Sequence, residues 1–171
     1  MRDNISYFFL RSENLHSLPE FLVANNHKQE IIIYINCTGG DVLPALESVN
    51  LIQANPNKVT TVINGCAESS GLLVAISGHE RHIFENSWGM AHAFSTSIEG
   101  SYHDIKDVSK HNEMLHKAMF DIYKRHTNAT EDVINTHLIG RETTWLTERE
   151  MLNLGMVDKI VAIGDFNEYK R

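Results

Sequence analysis

Apolar residues along the chain fall into two rhythms. Ile31-Ile-Ile-Tyr-Ile35 is an unbroken apolar run inside Glu30 to Asn36, which suits a strand of a parallel sheet covered on both faces. Tyr7 to Leu10, Val59 to Ile63, His82 to Phe84, Trp88 to Ala91 and a last segment around Ile160-Val161 read as further strands. Between them the period lengthens. Ser17-Leu-Pro-Glu20 has the spacing of a capping box and predicts a helix running to about Asn25. Asp41 can cap a second helix carrying Leu43, Leu46, Val49 and Ile52, which Asn55-Pro56 ends. Strand, helix, strand, helix is the order of right-handed βαβ units, so an α/β fold is expected.

The stretch from Val62 to Gly78 organises the rest. It reads as a strand turning sharply through Gly65 into a short helix. Leu72, Leu73, Val74, Ala75 and Ile76 make that helix apolar nearly all round, so it should be buried. Gly71 would let other backbone come close. Ser69 stands at the helix start, where unpaired N–H groups and the positive end of the dipole favour developing negative charge. An acyl-transfer nucleophile needs that setting, although Ser-Ser-Gly alone favours the plainer reading of an N-capping serine on a core helix.

From about Tyr102 to His126 the pattern becomes one long polar helix, with Ile105, Val108, Leu115, Met119 and Ile122 as an interrupted apolar stripe. At 1.5 Å per residue it would be nearly ~40 Å long, more than one small sheet needs, so part of it should protrude and meet another subunit. Two short helices follow, one near Glu131 to Leu138 and one opened by Thr147-Glu-Arg-Glu150 and closed by Gly155.

Composition narrows the function. With 171 residues the chain is expected to form one domain, 1–171, able to bury a core without metals or disulfides. A net charge of -7 and scattered lysines and arginines leave no basic face, so nucleic acid is not an expected partner. No apolar run is long enough to span a bilayer, and Met-Arg-Asp-Asn-Ile-Ser lacks the pattern of a signal peptide, so a cytoplasmic protein without a membrane partner is expected. Cys37 and Cys66 form neither a disulfide framework nor a zinc motif, and neither metal nor cofactor is expected.

Three groups fall at the carboxyl ends of predicted strands, where open α/β sheets place their ligands: Gly39-Gly40, Ser69 and His92. A neutral imidazole at His92 could take the Ser69 proton, and the N–H groups near Gly40 and of Ser70 could form an oxyanion hole. Alone, the histidine would be structural and the glycines a tight turn; their conjunction is what points to acyl transfer. Weaker constellations are His103, Asp107 and His111 at i, i+4, i+8, which could chelate a metal but more simply form a solvated helix face, and Cys66, a conceivable nucleophile whose plainer role is a small buried side chain. Glu68, next to Ser69, has no role legible in the pattern.

Together these segments resemble the proteolytic subunit of the Clp protease family, the ClpP-like serine peptidases. Ile33-Tyr-Ile-Asn-Cys-Thr-Gly-Gly40 is similar to that family's Y-I-N-S-P-G-G, Gly65-Cys-Ala-Glu-Ser-Ser-Gly71 to its G-x-A-A-S-M-G and Met90-Ala-His92 to its M-I-H. Trp145-Leu-Thr147 resembles its F-L-S and Gly155-Met-Val-Asp158 its G-L-V-D, in the same order from about residue 30 to 162. The resemblance implies a ClpP/crotonase-like spiral of βαβ units with a protruding handle helix at about 102–126. It also implies a peptide or unfolded-protein substrate and homo-oligomers built as stacked seven-membered rings. Ser69 would be the nucleophile and His92 the base, with oxyanion donors at Gly40 and Ser70. Where the family carries its triad aspartate this sequence has Thr143, preceded by Glu142; Thr143 is the expected third member and Glu142 its rival. Thr38 stands where the family has a proline and Ala93-Phe94 where it has Gln-Pro, changes that should reshape the peptide groove. Little sequence precedes the first strand, so docking of an ATP-driven unfoldase is a possible partnership rather than an implied one. Two other readings stand beside the peptidase: a catalytically weak ring subunit acting as scaffold or regulator, and a crotonase-like enzyme on the related fold, which the serine and histidine disfavour.

Overall fold

The computed structural model describes residues 4–162 and Gly164, so the ends of the expected unit 1–171 lie outside the described residues. In chain order the elements are β1 (Ile5–Leu10), α1 (Leu18–Ala24), β2 (Glu30–Cys37), α2 (Val42–Ala54), β3 (Lys58–Glu68), α3 (Ser70–Ala75), β4 (Glu80–Phe84), β5 (Trp88–Ala91) and α4 (Tyr102–His126). They continue with α5 (Glu131–Val133), β6 (Thr144–Thr147), α6 (Glu148–Asn153) and β7 (Lys159–Val161).

The main sheet runs β1-β2-β3-β4-β7, all parallel. β3 is long enough to serve two partners: Thr60 to Ile63 pair with β4, whereas Cys66 to Glu68 pair with β5. The chain therefore peels into a second direction just before Ser69. β6 then closes on β5 antiparallel, Ala91 opposite Thr144.

One face of the sheet carries the core. Ile31, Ile33, Ile35, Val59 and Ile63 meet α2, the fully buried α3, and the far end of α4 through Met119 and Tyr123. The opposite face was expected to be covered as well, and there the expectation needs correction. Ile32 and Tyr34 are buried mainly among side chains of neighbouring strands, Val62, Ile5 and Phe84. Phe9 stacks on Tyr34 with ring centroids 5.3 Å apart yet stays 55% exposed.

Three local expectations also change. Ser17 starts α1 but makes no side-chain cap bond, because the residues before it, Ser12–Ser17, already form a 3-10 turn that leads into the helix. The segment after α4 is not one helix: α5 is a single turn that widens into a π turn over Ile134–Leu138. There the Ile139 N–H reaches the Ile134 carbonyl at 2.9 Å, and Gly140 packs so tightly that a Cβ would sit 2.0 Å from the Thr136 oxygen. The strand turn expected at Gly65 does not occur there. β3 continues through Gly65, whose missing Cβ makes room for the Asn36 side chain; an added Cβ would lie 2.5 Å from the Asn36 oxygen.

α4 protrudes as the pattern implied. Its start is a complete capping box between Ser101 and Asp104, which holds the Asp104 carboxyl below the ordinary range through the hydroxyl and backbone N–H of Ser101. Only its second half reaches the core. Tyr102, Ile105 and Met114 remain 73%, 45% and 65% exposed. Among the described residues no helix is long and apolar enough to cross a membrane.

Candidate active site

The turn falls on Ser69 itself. The residue sits between the last strand residue, Glu68, and the first turn of α3, with φ 54° and ψ -123°. Few non-glycine residues accept a positive φ, and holding one there costs about 1–3 kcal/mol. The surroundings fix it from both sides. The Ser69 N–H donates to the Met90 carbonyl at 2.8 Å, and the Ser69 carbonyl accepts from Leu72 and Leu73. Strand pairing and helix start thus meet at one residue and present its side chain at a sharp corner.

His92 follows directly after β5. Because β5 pairs with the end of β3, the imidazole is delivered alongside the corner, and its Nε2 lies 2.8 Å from Ser69 Oγ. Both residues are half-buried.

The glycine loop after β2 faces the same corner. Gly39 has φ 95°, and a Cβ on it would stand 2.8 Å from Ser69 Cβ and 2.9 Å from the Glu68 carbonyl, so this position requires glycine twice over. Its N–H donates to Cys37 Sγ at 3.4 Å, so Gly39 is not a free donor as the sequence had suggested for the pair. The Gly40 and Ser70 amides are different. Among the described residues neither donates a hydrogen bond, while the Ser70 hydroxyl donates to the Gly40 carbonyl at 3.2 Å and ties loop to helix. A cleft of about 570 Å³ opens here, bounded by Gly40, Ser69, His92 and the α4 residues Val108 and Leu115.

Thr143 is not joined to this pair. Continuing the β5–β6 register one step past Ala91–Thr144 puts it across from His92, but its exposed hydroxyl makes no hydrogen bond among the described residues. It is the Thr144 hydroxyl that is engaged, donating to the His137 carbonyl at 2.6 Å. Adjacent residues of an extended segment point opposite ways, so only one can turn inward there. Glu142 is exposed and also makes no hydrogen bond, and His92 Nδ1 has no protein partner among the described residues.

The remaining candidates sort themselves. Cys66 donates to Asn36 Oδ1 at 3.4 Å, and burial followed by the charge of Glu68 pushes its thiol up to about 11, the wrong direction for a thiolate nucleophile. Glu68 does have a partner that the sequence did not reveal: Trp88 Nε1 donates to its Oε1 at 3.0 Å. His103 packs edge-on against Tyr102, and among the described residues no group of three or more histidine, cysteine or acidic side chains is gathered to hold a metal.

The family model described as Clp protease matches residues 13–164, nearly the whole described chain and every residue of this corner. The chain belongs to the Clp protease family. Its fold is that of the family: a mostly parallel sheet with a projecting helix. Among curated proteins it is 32% identical over 142 residues to "ATP-dependent Clp protease proteolytic subunit 1" of Streptomyces avermitilis, a match covering 82% of this chain and 64% of that protein. The protein of the same name in Leifsonia xyli is 29% identical over 156 residues, covering 88% of this chain and 78% of the relative.

Proposed function

We propose that this Clp-family chain is a serine peptidase that hydrolyses peptide bonds inside a ring-shaped oligomer. The observation that carries the reading is the 2.8 Å contact between His92 Nε2 and the Oγ of a serine held at positive φ beside a cleft. In this reading the Nε2 lone pair takes the Ser69 proton as Oγ attacks the scissile carbonyl, and the imidazolium returns it to the leaving amine. The Gly40 and Ser70 N–H groups, which donate to no acceptor among the described residues, receive the oxyanion, and the Ser70–Gly40 bond fixes one donor relative to the other. Water then attacks the acyl-enzyme with the same imidazole as base.

Thr143 enters as the residue opposite His92 in the extended strand register, from which a hydroxyl could orient the imidazole, not as a source of charge. With no carboxylate on Nδ1 among the described residues, the imidazolium is less stabilised, so turnover should be slow beside a full triad. The relatives' name carries the words "ATP-dependent", and an ATPase partner for this chain is proposed on that ground alone. Oligomers are proposed from the apolar residues that α4 leaves uncovered, and their form as stacked seven-membered rings from the resemblance to the family. A cytoplasmic setting is part of the same proposal.

Hydrolysis of short fluorogenic peptides by the parent and by Ser69→Ala tests the reading. Loss of activity in a variant with unchanged thermal stability is expected. Equal rates would mean that another group performs the attack, and no hydrolysis by either would favour a scaffold or regulatory subunit.

A further inference from the structure

The cleft beside Ser69 contains one formal charge. Among the residues that bound it, only Asp41 is a carboxylate and none is a lysine or arginine. Asp41 follows Gly40, so its Cα lies one peptide, ~3.8 Å, from that of the proposed oxyanion donor. One carboxylate oxygen, Oδ1, accepts from the Leu43 N–H at 3.0 Å and caps α2. Among the described residues no ion pair neutralises the group, and it is exposed. Part of the wall is different in kind: Leu43, Met90, Phe94, Val108 and Leu115 present apolar surface, whereas Thr38, Ser95, Thr96 and Asn112 line the rest with neutral polar groups.

A cleft with an apolar stretch of wall and one uncompensated negative charge beside the oxyanion position suits a long aliphatic side chain ending in a cation. Such a side chain lays its methylene stem on the walls and keeps its head at the carboxylate. Resting on the peptidase reading, we propose that Asp41 makes this site prefer a lysine or arginine on the acyl side of the scissile bond, at P1. An acidic residue there would meet a like charge, and a purely apolar one would leave Asp41 unpaired.

The test compares two fluorogenic peptides identical except for lysine or norleucine at P1, which differ only in the terminal ammonium. All assays run at the same pH, about 8, since two further titratable groups, His92 and His111, also line the cleft. The expected kcat/KM ratio favours lysine by about threefold to fivefold at low salt, the range an exposed ion pair supplies, and declines as salt is added. Asp41→Asn and Asp41→Ser each keep a capping side chain for α2, so the helix start survives in both. In each the ratio should fall to about one, and Asp41→Glu should restore part of it. A parent ratio at or below one, or a lysine preference that survives both neutral variants, overturns the assignment while leaving the peptidase reading intact. No hydrolysis of either peptide by the parent overturns both.

Discussion

At the scale of single residues, the site depends on one position that tolerates no substitution and has one that invites it. Gly39 combines φ 95° with direct contact against Ser69, so Gly39→Ala should drive the nucleophile out of line and lower kcat/KM by about a hundredfold or more, with little change in peptide KM. Unchanged activity in that variant would mean that the loop is not part of the site. Thr143 is the inviting position. His92 Nδ1 has no partner among the described residues, and Thr143 lies across from it in the extended strand register. Thr143→Asp should raise turnover, by about tenfold or more if the carboxylate reaches the imidazole. If Glu142→Gln instead abolishes activity while Thr143→Val leaves it intact, the orienting group is the neighbouring carboxylate. Ser69 and His92 were both legible in the sequence because each closes a strand in a family-like motif. The missing bond to Thr143 was not, since a motif fixes where a residue falls but not which way an extended segment turns its side chain.

The elements show the same division between pattern and packing. Long periodic segments were readable: β2, α2 and α4 appear where the apolar rhythm put them, because β2 and α2 bury apolar faces along their length and α4 buries the second half of its stripe. What escaped was set by contacts distant in sequence. Asn64-Gly65 has the composition of a turn, yet β3 runs through it because Asn36 fills the space left by the glycine. β6 is four residues long and exists only because β5 offers an edge. Packing also puts a titratable group where no pattern could show it. His126, at the end of α4, has its Nε2 buried without a partner among the described residues, and burial, then Arg81 and Arg125, hold its pKa down to about 4. The unfolded chain binds this proton near pH 6.5 and the folded chain only near 4, so stability should fall as pH drops through that window. His82, lowered chiefly by burial, adds a loss of the same sign. His126→Gln should flatten the dependence of Tm on pH between 6.5 and 4 relative to the parent. An identical slope would show that the imidazole is not shielded when folded.

For the whole molecule, what the chain leaves uncovered is as informative as what it buries. The first half of α4 carries Ile105 and Met114 into solvent, a stretch of apolar surface that a second copy would cover. Ile105→Lys combined with Met114→Lys should reduce the assembly to smaller species in sedimentation velocity while leaving the monomer folded, since neither residue touches the core. A parent that sediments as a monomer at micromolar concentration would contradict the ring. The central claim is narrower than assembly: Ser69 is a nucleophile activated by His92. Reaction with a fluorophosphonate, followed by peptide mapping in a mass spectrometer, tests it directly. The account predicts one adduct, on Ser69, formed far more slowly in His92→Ala; an unlabelled Ser69, or labelling that is indifferent to His92, would contradict it.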